Sequence, residues 1–135
     1  MNVGLQLLKD NVRRSSRSKF ITYITLNPEL NVHPIYHISV NVDIPEYKRM
    51  IFTRLRVSAH NLKIETGRWS RTPRDSRLCE CGEIQTECHI LCSCPLTDLC
   101  RASCDAIHLF ECPSLFDAPV HALIDYVYEC YTTIV

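Results

Sequence analysis

The sequence has 135 residues, of which 46% are hydrophobic and 22% are charged. This length suits one small domain or two very small ones, and this composition argues against a chain that is disordered throughout. The formal net charge is zero, which at face value argues against a nucleic-acid or acidic-membrane partner.

The zero net charge is the sum of two oppositely charged parts. Residues 1–78 contain 14 basic and six acidic residues, whereas residues 79–135 contain nine acidic residues and a single basic one, Arg101. All nine cysteines lie in the acidic part. Neutrality therefore does not exclude a nucleic-acid partner, which we expect at the basic part.

The sequence predicts an intracellular protein, nuclear or cytoplasmic, that is not secreted and has no membrane partner. No stretch approaches about 18 consecutive apolar residues, and the N-terminus lacks a signal-peptide hydrophobic region. In a reducing compartment, clustered cysteines and histidines indicate a metal site more often than disulfides. An odd number of cysteines also excludes complete pairing within one chain.

The first elements are predicted from short local patterns. Apolar spacing favours a short helix over 3–13, and the element over 19–26 is ambiguous in type because it is rich in β-branched residues. Apolar and polar residues alternate near 35–44, which predicts a short strand or an extended connector. No partner strand is evident in the sequence, so this segment is the most β-structure that we expect.

A basic helix is predicted over 46–66, ending at Thr66-Gly67. Arg49, Arg56 and Lys63 recur every seven residues, which places them in one stripe on the helix. A basic stripe by itself is more typical of a solvated helix face than of a binding site.

An arginine-rich loop follows over 68–77, where four arginines surround the only tryptophan, Trp69. Arginine can fork onto phosphates, and both residue types can stack on bases, although a lone tryptophan is more typical of a core. As a group, the arginines favour phosphate contact. The predicted nucleic-acid-binding residues are Arg54, Arg56, Lys63, Arg68, Trp69, Arg71, Arg74 and Arg77.

Five cysteines and one histidine lie within 79–94. Two close cysteines can hold one face of an ion, Gly82 allows the chain to turn, and a short helix from about Thr86 can return further ligands. This spacing predicts a structural Zn²⁺ site whose four ligands are Cys79, Cys81, His89 and Cys94. A second ligand set remains open, namely Cys79, Cys81, Cys88 and Cys92.

The tail over 96–135 is predicted to be acidic and helical. A helix that starts at Pro95 is expected to carry one apolar face, formed by Leu96, Leu99, Cys100, Cys104 and Ile107. A last amphipathic helix begins near Val120, with Cys130 as a packing residue. The expected organisation is therefore an N-terminal helical or extended segment, a basic helix and loop, a zinc knuckle and an acidic helical tail, over 1–45, 46–78, 79–95 and 96–135.

The run from Ile51 to Arg71, followed by Cys-x-Cys-Gly and His-x4-Cys-Pro, resembles the C-terminal region of non-LTR retrotransposon reverse transcriptases. In that family a basic helix and an I-E-x-G-R-W stretch precede a CCHC zinc knuckle. The resemblance covers most of the chain and is strongest over 46–100. It implies zinc ligation by the CCHC residues, contact with RNA or DNA, and an upstream reverse-transcriptase domain as a further partner. Cys88 and Cys92 depart from the family pattern.

Motifs of catalytic domains are missing from the sequence. It contains no Asp-Asp pair, Walker loop, G-x-S-x-G or H-E-x-x-H. We therefore expect no enzyme activity, with any polymerase or nuclease encoded upstream of a truncated or domesticated fragment. The expected function is a non-catalytic, zinc-binding, nucleic-acid-binding module with a mainly α fold. The alternatives are a zinc-stabilised protein-interaction module and a fragment without function.

Overall fold

A computed structural model describes residues 22–24, 26, 33–36, 43–112 and 114–135 of the chain. Within these ranges the structure is mainly helical, and its β-structure is one isolated antiparallel bridge, between Leu78 and Ile84. We label five helices: α1 Glu46–Arg56, α2 Lys63–Trp69, α3 Glu87–Cys92, α4 Asp98–Ala102 and α5 Val120–Ile134. The predicted small, mainly α fold class is confirmed.

The N-terminal predictions are only partly tested by the described residues. The helix predicted over 3–13 lies outside them, while residues 22–24 and 26 of the ambiguous element are helical. Near 35–44, Pro34–Tyr36 forms a turn of 3-10 helix, not a strand. Proline favours this because its ring fixes φ in the helical range. Residues 37–42 of the predicted extended segment lie outside the described ranges.

The hydrophobic core forms where α1 packs against α5. Phe52 and Leu55 of α1 and Leu123 and Val127 of α5 are completely buried. The same core contains residues from all four predicted segments, among them Leu26, Ile44, Ile90, Leu91 and Ile107. Burial of an apolar side chain contributes about 1.5–3 kcal/mol, so most of the stability resides here. In the described ranges, no helix is both long and apolar enough to cross a membrane.

The single helix predicted over 46–66 is wrong, because the chain breaks between α1 and α2. Ser58 adopts a left-handed backbone conformation with φ 57°, and both Ser58 and His60 are buried. Their side chains hydrogen-bond to the carboxylate of Glu87 on α3. A continuous helix cannot bring both residues to one carboxylate, since residues two apart lie on different helix faces. A long-range polar contact thus overrides the local helical pattern.

Gly67 does not end its helix, as its residue type had suggested, but lies inside α2. The Arg77 side chain crosses directly over it, and a Cβ atom at Gly67 would lie 2.4 Å from the Arg77 Cγ. From that position the Arg77 guanidinium donates to the carbonyls of Thr72 and Ile64, at 2.9 and 3.0 Å. Glycine is therefore required here for close approach of a side chain.

The apolar face predicted after Pro95 is only partly correct. Ile107 is buried, but Leu96 and Leu99 are 43% and 82% exposed. Pro95–Thr97 is a 3-10 turn that precedes α4, and it turns Thr97 completely inward. Thr97 Oγ1 donates to the Ile90 carbonyl at 2.7 Å, so a polar side chain takes the place expected for leucine.

The last helix agrees with its prediction. Helix α5 covers Val120–Ile134, and Cys130 is completely buried among its apolar residues. Cys100 and Cys104 are partly buried and pack against the same core. These three thiols serve as packing residues, as the sequence suggested.

Replacement of Gly67 by alanine is expected to destabilise the fold by about 1–3 kcal/mol, because the new methyl group displaces Arg77. In an Arg77→Ala background the same change is expected to be neutral or stabilising, since alanine is favoured over glycine in helices by about 1 kcal/mol. Urea unfolding followed by far-UV circular dichroism measures both values. Equal effects in the two backgrounds would contradict the proposed clash.

Candidate functional site

Four side chains of the predicted metal set converge in the structure. One ligand atom from each of Cys79, Cys81, His89 and Cys94 lies within 4.8 Å of the others. The Cys94 Sγ is 3.7 Å from the Cys79 Sγ and 3.9 Å from the Cys81 Sγ. Sulfurs bound at about 2.3 Å to one tetrahedral ion lie about 3.8 Å apart. This group can therefore hold a metal ion.

Two of these ligands lie on a tight hairpin. The backbone N–H of Cys79 donates to the Glu83 carbonyl at 2.7 Å, and the N–H of Gly82 donates to the Cys79 carbonyl at 2.9 Å. Gly82 has φ 99°, a left-handed conformation that glycine adopts without strain. The turn leaves the Cys79 and Cys81 thiols on the side that faces His89.

The other two ligands are positioned by α3. Thr86 caps this helix, and its Oγ1 accepts a hydrogen bond from the His89 N–H at 3.0 Å. The His89 Nε2 is 3.2 Å from the Cys81 Sγ. Cys94 follows the helix, and its N–H donates to the His89 carbonyl at 2.8 Å. The short helix expected from about Thr86 is confirmed.

The alternative ligand set is not brought together among the described residues. Cys88 and Cys92 are absent from the one metal-competent group found there. Instead, the Cys92 Sγ lies 3.6 Å from the Cys112 Sγ. Neighbouring helix positions point about 100° apart, so His89 can face the hairpin while Cys88 faces elsewhere. The geometry thus selects the set with His89 and Cys94.

Arg101 supports the ligand group, a role that the sequence patterns do not predict. Its guanidinium donates to the Cys94 carbonyl, to Thr97 Oγ1 and to the Asp98 carboxylate. Such outer contacts fix ligand orientation at metal sites. One signal was available in the sequence, since Arg101 is the single basic residue in 79–135.

Burial shifts the protonation equilibria of the ligand group. It lowers the pKa of His89, which favours the neutral imidazole that binds metals. Burial also raises the pKa of Cys94 to about 11, and the nearby Cys79 thiol adds to this effect. For Cys79, burial alone would raise the pKa, but hydrogen bonds from the Cys81 N–H and the Gln85 side chain outweigh it, and the pKa is lowered.

A buried polar network joins the metal group to the basic segment. His60 Nε2 and Glu87 Oε1 are 2.7 Å apart, with side chains 1% and 5% exposed. The Leu62 N–H donates to His60 Nδ1 at 3.2 Å, so Nε2 carries the proton and donates to Glu87. Burial raises the pKa of Glu87, but the hydrogen bonds from His60 and Ser58 outweigh it and lower this pKa. Glu87 therefore stays ionised although it is buried.

The predicted nucleic-acid-binding residues divide into two groups. Three basic residues contact the protein itself. Arg56 is buried, with its guanidinium 5.8 and 5.6 Å from the ring centroids of Tyr23 and Tyr36. Arg68 lies 3.4 Å from the Glu65 carboxylate, and Arg77 binds backbone carbonyls. The exposed members are Arg54, Lys63, Trp69, Arg71 and Arg74.

Trp69 is 63% exposed. It therefore does not lie in the core, which is the more typical position of a lone tryptophan. Its helix α2 ends at this residue, and Arg71 two residues later adopts φ 58°. The loop predicted over 68–77 is therefore wrong at its start, because Arg68 and Trp69 lie in α2 and the arginine-rich loop begins at Ser70.

A polar groove of about 290 Å³ separates α2 from that loop. Two cationic side chains, Lys63 and Arg77, line it. Four hydroxyl groups line it as well, those of Thr66, Ser70, Thr72 and Ser76. Hydroxyl and ammonium groups are common partners of phosphate oxygens. The groove is therefore equipped to bind an anion.

Comparisons with protein-family models, with curated proteins and with solved structures find no match to this chain.

The His60–Glu87 contact generates a stability prediction. His60→Ala is expected to destabilise the fold by about 2 kcal/mol, because a buried carboxylate loses a hydrogen-bond donor. Asn61→Ala is the matched control. Asn61 is exposed, and it donates a hydrogen bond from its backbone N–H, which the substitution leaves in place. Chemical denaturation measures both variants. A His60→Ala protein as stable as the control would show that the network contributes little.

Proposed function

We propose that this chain is a non-catalytic zinc-binding module that binds the phosphate backbone of RNA or DNA. The observation that carries the proposal is the polar groove between α2 and the arginine-rich loop. The resemblance to the C-terminal region of non-LTR retrotransposon reverse transcriptases supports the same function. A fragment of such an element would retain binding without the polymerase.

Zinc is the ion that best fits the ligand group. Three thiolates and one imidazole form one of the usual ligand sets of structural Zn²⁺. With four protein ligands the ion has no open position for a substrate, so its role would be structural. A hairpin and a six-residue helix bury too little apolar surface to be stable alone, and metal binding supplies the missing free energy.

The metal group supports the groove through the chain connection between them. Ser76, Arg77 and Leu78 line the groove and immediately precede Cys79. The Gln85 N–H donates to the Arg77 carbonyl at 2.9 Å, which continues the ligand hairpin into the groove wall. An ion that fixes the hairpin would therefore also fix this wall.

The surface around the groove suits a single strand or a duplex backbone. The exposed residues Arg71 and Arg74 belong to the loop that forms one wall, and Trp69 ends the helix that forms the other. Arginine binds phosphate bidentately, and an exposed tryptophan offers a stacking surface for a base. Arg56, Arg68 and Arg77 are engaged within the fold, so they are left out of the proposed contacts.

One zinc ion per chain is expected after purification under reducing conditions. Arg101→Ala is expected to weaken zinc binding by about 10–100-fold, because the Cys94 carbonyl loses its support. Arg54→Ala is the control, since Arg54 is exposed and distant in sequence from the ligands. Competition with a chromophoric chelator measures the affinities.

The ligand set itself has a separate readout. The double variant Cys88→Ser/Cys92→Ser is expected to retain the zinc ion, whereas Cys94→Ser loses it. Less than about half an equivalent of zinc in the unaltered protein would contradict the proposed metal.

Nucleic-acid binding is expected to be strongly salt dependent. With phosphate contacts from Arg54, Lys63, Arg71 and Arg74, the slope of log affinity against log salt should be about −4 on a duplex and about −3 on a single strand. Lys63→Ala should reduce the magnitude of this slope by about 1. Fluorescence anisotropy of a labelled oligonucleotide at several salt concentrations measures the slope.

Lys48→Ala is the matched control for Lys63→Ala. It also removes one lysine charge, but Lys48 lies near the N-terminal end of α1. Its Nζ is 2.7 Å from the Asp125 carboxylate. Equal losses for the two variants would indicate a general charge effect and contradict binding at the groove. Absence of binding to both RNA and DNA would contradict the proposed function and favour a protein-interaction module, for which the exposed Leu96 and Leu99 offer an apolar contact.

A further inference from the structure

Two thiols outside the metal-ligand group lie in contact with each other. The Cys92 Sγ is 3.6 Å from the Cys112 Sγ. Cys92 is the last residue of α3, and Cys112 lies 20 residues further along the chain. The contact therefore joins the helix that carries His89 to a separate segment of the protein.

A shared metal ion does not account for this contact. Among the described residues, the one group that can hold a metal is formed by four converging ligand atoms, and it contains neither Cys92 nor Cys112. The two thiols thus form a pair without the further donors that a structural metal site requires. Two thiols in contact are, however, the reactants from which a disulfide forms.

Both thiols of the pair can be reached from solution. Cys92 and Cys112 are partly buried, whereas the ligands Cys79 and Cys94 are only 3% and 0% exposed. The pair lies on a cleft of about 730 Å³, which polar side chains such as Ser93 also line. Oxidation of cysteines is favoured by exposure, so a small reagent is expected to react at this pair before it reaches the buried ligands.

A short approach of the two sulfurs would close a bond between them. A disulfide has an S–S length of about 2.05 Å, so the sulfurs must come closer by about 1.5 Å. Residues 103–112 form no helix or strand, and a small shift of Cys112 therefore breaks no regular hydrogen-bond pattern. Buried Ile107 and the contact between Phe110 and Tyr126, whose ring centroids are 5.1 Å apart, keep this segment close to α3.

We propose that Cys92 and Cys112 form a reversible disulfide when the protein meets a low-molecular-weight disulfide as oxidant. One protein thiolate attacks a sulfur of the oxidant, whose S–S bond breaks and releases one small thiol. The other protein thiol then attacks the mixed disulfide, which forms the Cys92–Cys112 bond and releases the second small thiol. The protein loses two electrons and two protons, and the two released thiols carry them.

The disulfide would hold the end of α3 against the segment over 103–112. Closing a loop of this length reduces the conformational entropy of the unfolded chain. The oxidised protein is therefore expected to melt about 5–10 °C above the reduced protein, and a reductant should abolish the difference. Equal melting temperatures of the two forms would contradict this restraint on α3.

Peptide mapping tests the disulfide on the full chain with its metal in place. Trypsin cuts after Arg101, the single basic residue in 79–135, so the bond would link the peptide over 78–101 to the peptide over 102–135. The protein is treated with glutathione disulfide, free thiols are alkylated under denaturing conditions, and the digest is analysed without reduction by mass spectrometry. The linked peptides are expected from the unaltered protein and not from Cys112→Ser.

Cys104→Ser is the matched control for Cys112→Ser. Cys104 is also partly buried and lies on the same tryptic peptide as Cys112, so this variant should retain the link. Cys92→Ser provides a second test variant, from which the link should be absent. Circular dichroism verifies that each variant is folded.

Two outcomes would overturn the proposed disulfide. One is the absence of linked peptides from the unaltered protein, and the other is their persistence in Cys112→Ser or Cys92→Ser. Bonds among the ligand thiols would remain within the single peptide over 78–101, so oxidation of the metal group gives a different product. The result is therefore independent of zinc occupancy and of nucleic-acid binding.

Discussion

The six residues of helix α3 must contact several different parts of the protein at the same time. Glu87 binds His60 on one side, His89 faces the ligand hairpin, and Ile90 and Leu91 enter the core. An isolated helix of this length is unstable in water, so these contacts must hold it in place. Glu87, Ile90 and Leu91 share the buried face of the helix while His89 points away from it, so a rotation of α3 would break all of these contacts together. The position of the metal group therefore depends on the core and on a buried hydrogen bond at the same time.

The basic segment shows how charge in a sequence divides into structural and accessible parts. Arg56 stacks on aromatic rings, and Arg77 binds carbonyls across a glycine. A planar guanidinium with five donors suits both environments better than a lysine ammonium does. The exposed cations are therefore fewer than the sequence count suggests. Of the cations that remain exposed, Lys63 lines a groove that hydroxyl groups also line.

Local sequence patterns were sufficient to predict part of this structure. The ligand set was predictable because its four members lie within 16 residues and because Gly82 and Thr86 specify a turn and a cap. Helix α5 was predictable from its apolar period. The break after Arg56 was not, because it depends on Glu87, a partner 27 residues away from His60. The role of Gly67 was not predictable for the same reason, since the residue that requires a glycine there is Arg77, ten residues further along the chain.

The exposed leucines of the tail illustrate a further limit of periodicity. Pattern alone favours Leu96 and Leu99 on an inner face, yet Thr97 takes that place because its hydroxyl satisfies the Ile90 carbonyl. An unsatisfied buried carbonyl costs free energy comparable to that of an apolar contact. Leu96 and Leu99 are therefore exposed and Thr97 is buried. This arrangement depends on the position at which α3 ends.

The exposure of Trp69 has a consequence for how this protein can be observed in solution. It is the only tryptophan in the chain, and its indole is already largely in contact with water in the folded state. Its emission spectrum will therefore change little when the core melts. Tyr126 is completely enclosed, so the near-ultraviolet signal of tyrosine reports core packing. Trp69 emission thus reports changes at the surface, and the near-ultraviolet tyrosine signal reports changes in the interior.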